Sequence, residues 1–87
     1  MGTTMKITVK YFASIREAIG QSSEERQTDA ATLRALRDEL QLASPAHAEV
    51  LARGKSVRIA LDQVMRDESA PLHDGCEVAF FPPVTGG

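Results

Sequence analysis

The sequence predicts an α+β domain in which a mixed sheet of four or five strands wraps around one main helix, with one or two short helices beside it. Three observations predict it. Residues 6–11 and 57–61 alternate polar and apolar side chains, the pattern of half-buried strands. Between them Leu33, Leu36 and Leu40 recur at helical spacing. At 87 residues the chain has room for one domain. A chain this short buries about 60–65% of the surface its unfolded form exposes, so its core is thin and a large internal pocket is not expected.

Taken in order, Lys6-Ile7-Thr8-Val9-Lys10-Tyr11 puts Ile7, Val9 and Tyr11 on one side of the first strand. Ser14-Ile15-Arg16-Glu17 has capping-box spacing and Gly20 stands where a helix would stop. The short helix between them turns Ile15, Ala18 and Ile19 inward. Residues 21–28 are polar, and 24–28 reads as a second strand. Thr32 is placed to cap the main helix, whose outward face carries Arg34, Arg37, Asp38 and Glu39. Ser44-Pro45 opens another short helix through residue 53, with Pro45 at its first position and Gly54 past its end. After the strand over 57–61, Asp62-Gln63 turns tightly into a short strand at Val64-Met65. Asp74-Gly75 reads as a hairpin-type turn before the last strand, 76–81. Cys76, Val78 and Phe80 share the core face of that strand, and Glu77, Ala79 and Phe81 share the other.

Composition narrows the function classes. Hydrophobic residues are 43% and charged residues 25%, an ordinary globular balance. A net charge of −2, with Arg and Lys scattered, argues against a nucleic-acid partner, which needs a basic face. No apolar stretch approaches the ~20 residues of a membrane span, and the first residues lack the regions of a secretory signal, so 1–4 reads as a flexible leader. One cysteine, Cys76, cannot close an internal disulfide, which fits a cytoplasmic location. It reads as a small buried hydrophobe. His47 and His73 lack ligand spacing, and no metal site is expected.

The candidate site is the tail, Pro82-Pro83-Val84-Thr85-Gly86-Gly87, leaving a domain over 1–81. Pro82 and Pro83 lack backbone donors and fix their φ angles, and each proline pushes the residue before it to an extended conformation. The chain must therefore leave the last strand extended, and six residues at ~3.3 Å each reach roughly 20 Å. Gly86 and Gly87 carry no side chains, so they suit a channel too narrow for other residues. The carboxyl of Gly87 is then unhindered. A carboxylate resists nucleophiles until activated, and transfer to AMP from ATP is the usual means. The acyl-adenylate can accept sulfur to give a thiocarboxylate. Beside the tail, Phe81 and Ala79 form an expected docking patch for partners; Phe12, whose parity differs from that of Val9 and Tyr11, either joins this patch or covers the adjacent helix.

The stretch Asp74-Gly75-Cys76-Glu77-Val78-Ala79-Phe80-Phe81-Pro82-Pro83-Val84-Thr85-Gly86-Gly87 resembles the C-terminal signature of the small, sulfur-carrying subunits of molybdopterin synthase. Residues 11–20 resemble that family's first strand and helix, and Ala60-Leu61-Asp62-Gln63 its third-strand turn. Residues 21–54 match in pattern alone. Two positions depart from the family: Cys76 where an acidic residue is common, and Asp62 where asparagine is frequent.

The resemblance implies a ubiquitin-like β-grasp fold. It implies that an adenylyltransferase related to ubiquitin-activating enzymes uses ATP to adenylate Gly87, and that a sulfurtransferase converts the product to a thiocarboxylate. It further implies that residues Pro82, Pro83, Val84, Thr85 and Gly86 line a channel in the large synthase subunit, within a heterotetramer. There Gly87 gives sulfur to cyclic pyranopterin monophosphate, building the dithiolene of molybdopterin. No cofactor is expected on the chain itself. Three other readings compete: a sulfur carrier for thiamine or tungsten-cofactor synthesis, a modifier conjugated to proteins through Gly87, and a plain interaction module with an idle tail.

Overall fold

The computed structural model describes residues 4–52 and 56–82. Eight elements follow in order: β1 (Met5–Tyr11), α1 (Ala13–Ile19), β2 (Ser23–Thr28), α2 (Leu33–Gln41), α3 (Pro45–Leu51), β3 (Arg58–Leu61), β4 (Val64–Met65) and β5 (Glu77–Phe81). The strands form one sheet in the order β2-β1-β5-β3-β4. β1 and β5 run parallel at its centre, and every other neighbouring pair is antiparallel. This is the β-grasp arrangement: an α+β mixed sheet holding one main helix.

Burial follows the sequence periods. Ile7, Val9 and Tyr11 of β1 and Val78 and Phe80 of β5 face Leu33, Leu36 and Leu40 of α2 in one core. Thr32 caps α2 as expected, its hydroxyl accepting from the Ala35 amide at 3.2 Å. Gly20 closes α1 with φ +89°, a left-handed conformation that favours glycine. Asp62 and Gln63 both take positive φ, forming the tight turn between β3 and β4.

Four expectations are corrected. Ser14 does not cap α1. The Phe12 amide donates to the Phe80 carbonyl at 3.2 Å, which keeps Phe12 extended, so the helix starts directly after it with no side-chain cap. Ser14 and Ala18 consequently lie exposed, leaving Ile15 as the buried residue of α1. Asp74-Gly75 forms a turn, with the Cys76 amide donating to the His73 carbonyl, but not a hairpin. The strand after it pairs with β1 and β3, and the turn is instead fastened to the start of β1 through Lys6.

The outward face assigned to α2 is half wrong. Arg34 and Asp38 are exposed, but Arg37 is only 4% exposed. Its Nε donates to the Leu51 carbonyl at 2.8 Å and its Nη2 to the Ala52 carbonyl at 2.7 Å, satisfying the last carbonyls of α3. That helix ends at Leu51; Arg53 and Gly54, expected at its end, lie outside the described residues. Glu39 is half-buried, binding Arg26 at 2.9 Å and Thr28 at 2.6 Å.

A buried polar group also ties α3 to β1 and β2. Tyr11 donates its hydroxyl to Glu24 Oε2 at 2.7 Å, and His47 Nε2 lies 3.2 Å from the same oxygen. Burial raises the Glu24 carboxyl, but the hydrogen bonds from Tyr11 and His47 and the charge of Arg26 together bring it below its ordinary range. The Tyr11 phenol is pushed far up, by burial first and then by donating to a carboxylate. Among the described residues no buried side-chain nitrogen or oxygen lacks a partner.

Candidate functional site at the root of the tail

β5 is held on both sides, by β1 in parallel and β3 in antiparallel register. Phe81, its last residue, pairs with Arg58, the first residue of β3. Pro82 follows and has no N–H to extend the ladder. The tail therefore departs from the middle of the sheet, from a strand that cannot peel away without breaking two ladders. Pro83, Val84, Thr85, Gly86 and Gly87 lie outside the described residues.

Phe12 and Phe81 stack with ring centroids 4.6 Å apart and planes within 9°. Phe12 is 38% exposed and Phe81 half-buried, so the pair presents an aromatic face beside Pro82. Phe12 thus joins the expected patch rather than covering α1. A shallow depression of about 440 Å³ is lined by Phe12, Ala13, Arg58, Met65, Phe81 and Pro82. Met65 is 52% exposed on β4, the edge strand. A second depression, of about 210 Å³, lies against Pro82 with Ile15, Val50 and Val57 in its wall.

Ala79 does not form part of an exposed patch: it is 6% exposed. It does face away from α2, as its parity requires, but it pairs with Lys10 on one side and Ala60 on the other. A methyl group on a central strand, with a paired strand on each side, is covered by the sheet around it. Arg58 and Met65 are the site residues that sequence reasoning missed. The signal was present in the parity of β3, where Arg58 shares a face with Ala60, but the register that sets Arg58 against Phe81 is not legible from one strand.

Among the described residues no group of three or more His, Cys, Asp or Glu side chains could hold a metal ion. Cys76 is fully buried, and burial pushes its thiol up, away from the thiolate that sulfur chemistry needs. Asp62 fastens the far end of β5. Its Oδ1 accepts from the Glu77 amide at 3.0 Å, and its Oδ2 lies 2.6 Å from His73 Nε2. The backbone amide first, and His73 second, hold the Asp62 carboxyl below its ordinary range. No helix among the described residues is long and apolar enough to cross a membrane.

Comparison with known proteins places this arrangement. The model of the ThiS family matches residues 9–87. The chain is similar to the molybdopterin synthase sulfur carrier subunit of Escherichia coli, 43% identical over 81 residues, spanning 93% of this chain and 99% of the relative. Among solved structures it resembles SAMP1, small archaeal modifier protein 1, of Haloferax volcanii (26% identity, TM-score 0.77, 94% of this chain and 99% of the other). It also resembles a chain in the complex of subunits 1 and 2 of the molybdopterin-converting factor from Helicobacter pylori (32% identity, TM-score 0.64, 95% and 100% covered).

Proposed function

The chain belongs to the ThiS family, and from that premise we propose that it is the sulfur carrier subunit of a molybdopterin synthase, with the carboxyl of Gly87 as the working group. The observation that carries this reading is the tail's point of departure: a strand locked between two neighbours, ended by Pro82 and flanked by an exposed aromatic pair. Such a root suits a lever whose tip works inside another protein.

The chemistry divides between the chain and its partners. An adenylyltransferase lets a Gly87 carboxylate oxygen attack the α-phosphorus of ATP, releasing pyrophosphate and leaving an acyl-adenylate. The terminal sulfur of a sulfurtransferase persulfide then attacks the acyl carbon and displaces AMP, and a thiol cleaves the resulting acyl disulfide, releasing the thiocarboxylate and leaving a disulfide. Inside the large subunit that sulfur passes to cyclic pyranopterin monophosphate, and water restores the carboxylate. Pro82 to Gly86 fill the channel, while Phe12 and Phe81 dock outside it. The enzyme is complete only with the large subunit, whose assembly with this chain is a heterotetramer. The relationship to the Escherichia coli carrier and the likeness to the Helicobacter pylori complex support this division.

Removing Gly87 tests it. The truncated protein is expected to melt within about 1 °C of wild type, since a single glycine with no side chain to pack contributes little stability, and to bind the large subunit, yet to yield no dithiolene. Dithiolene formation by the truncated protein would overturn the mechanism. The likeness to SAMP1 favours conjugation as the second reading. Intact mass of protein from cells separates the two: an oxygen-to-sulfur exchange marks the carrier, and adducts on other proteins mark the modifier.

A further inference from the structure

We propose that the surface of the large subunit covering the tail root carries a carboxylate that pairs with Arg58. This rests on the reading of the chain as a synthase subunit and adds the chemistry that its partner must present.

Arg58 is exposed at the start of β3, in register with Phe81 and lining the same depression as Phe12, Met65 and Pro82. Among the described residues it is the one charged side chain in that lining. No ion pair and no side-chain hydrogen bond among the described residues engages its guanidinium. On the same outer face of the sheet Lys10 is matched by Glu77, its Nζ 3.4 Å from the carboxylate, whereas the carboxylate for Arg58 is left to a partner.

While the root is open to solvent, water satisfies Arg58. Docking changes that. A partner that swallows the tail must close over Pro82, and closing over Pro82 covers the depression that Arg58 lines. A guanidinium stripped of water among aromatic and aliphatic side chains is strongly unfavourable unless it is paired and hydrogen-bonded. A carboxylate answers it best, because the planar guanidinium binds both oxygens at once. The pair would fix orientation as well as charge, since Arg58 stands at the mouth through which the tail enters.

The experiment uses the full chain and the purified large subunit from the same source, titrated by calorimetry at several salt concentrations. Wild type is compared with R58K, R58L and R58E. Leucine keeps the apolar contact and removes the charge, so the sign of its effect decides. With a facing carboxylate, R58L weakens binding roughly 30-fold or more, R58E weakens it further, and R58K stays within about tenfold of wild type. Reversing the charge of one acidic residue on the large subunit then restores R58E. If R58L binds as tightly as wild type or tighter, the facing surface is apolar and the proposal is overturned. Failure of the wild-type chain to bind at all defeats the synthase reading together with this one, whereas tight wild-type binding indifferent to R58L defeats this one alone. Arg58 is exposed and outside the core, and thermal melts of each variant confirm that the fold is intact.

Discussion

His73 offers both ring nitrogens to acceptors: Nε2 to Asp62 Oδ2 at 2.6 Å and Nδ1 to the Asp74 carbonyl at 3.1 Å. Only the doubly protonated ring satisfies both. The hydrogen bond to Asp62 first, then that to Asp74, raise the imidazole above its ordinary value. A raised folded pKa stabilises in full below the unfolded value, about 6.5, and the benefit is lost as pH rises through the folded value. The lowered Asp62 carboxyl acts in the opposite sense, its benefit present above the unfolded value of about 3.9 and lost as pH falls through the folded one. The pair is therefore most stabilising in the mildly acidic range between those limits. Against His73→Gln, the wild-type melting temperature is expected to be highest in relative terms in that mildly acidic range and to fall towards the variant's as pH rises through the raised folded value. A difference unchanged through that rise would show that the ring's charge plays no part. Asp62 was legible as a departure from asparagine, but its partner was not, because His73 lies eleven residues away in a loop whose course only the fold determines.

Gly20 tests how far one residue can set an element's end. A Cβ built there meets nothing within 4 Å, so alanine would add strain without a clash. The φ of +89° is the whole cost, and Gly20→Ala should destabilise by about 1 kcal/mol. Urea denaturation should show a lower midpoint with an unchanged slope, and an unaltered midpoint would mean that α1 can end elsewhere. This stop signal was legible because it is local, as were the Thr32 cap and the alternation of β1. What failed was non-local. Ser14 had the spacing of a cap, but the bond from Phe12 to Phe80 claimed the chain first. Arg37 sat on the polar side of α2 by period, yet the end of α3 needed donors and drew it inward. Ala79 had the parity of an exposed residue and was covered because its strand is central. Asp74-Gly75 had hairpin chemistry without a second strand to pair. In each case a partner distant in sequence overrode a sound local signal. The tail reading draws on consecutive residues alone, so it depends on no such distant partner.

At the scale of the molecule, holding and reacting are assigned to different parts, and this makes them separable by mutation. The core, the ladders to β1 and β3 and the Asp62 clasp fix β5; Phe12 and Phe81 stand outside that core; the reactive carboxyl is proposed to lie beyond Pro82. Replacing both rings in Phe12→Ala/Phe81→Ala removes their stack and some burial, but no member of the main cluster, so the fold should survive with a loss of roughly 1–3 kcal/mol. If the rings only dock, the doubly substituted carrier charged as a thiocarboxylate should bind the large subunit at least tenfold more weakly, yet transfer sulfur at a rate within about twofold of wild type once the partner is saturating. Loss of Gly87 should do the reverse, keeping the affinity and abolishing transfer. Single-turnover transfer against partner concentration separates the two, because a docking defect moves the half-saturation point and a chemical defect lowers the plateau. A fall in the plateau for the ring variant would mean that the aromatic pair aims the tail as well as seating the domain, and the strict division between root and tip would have to be abandoned.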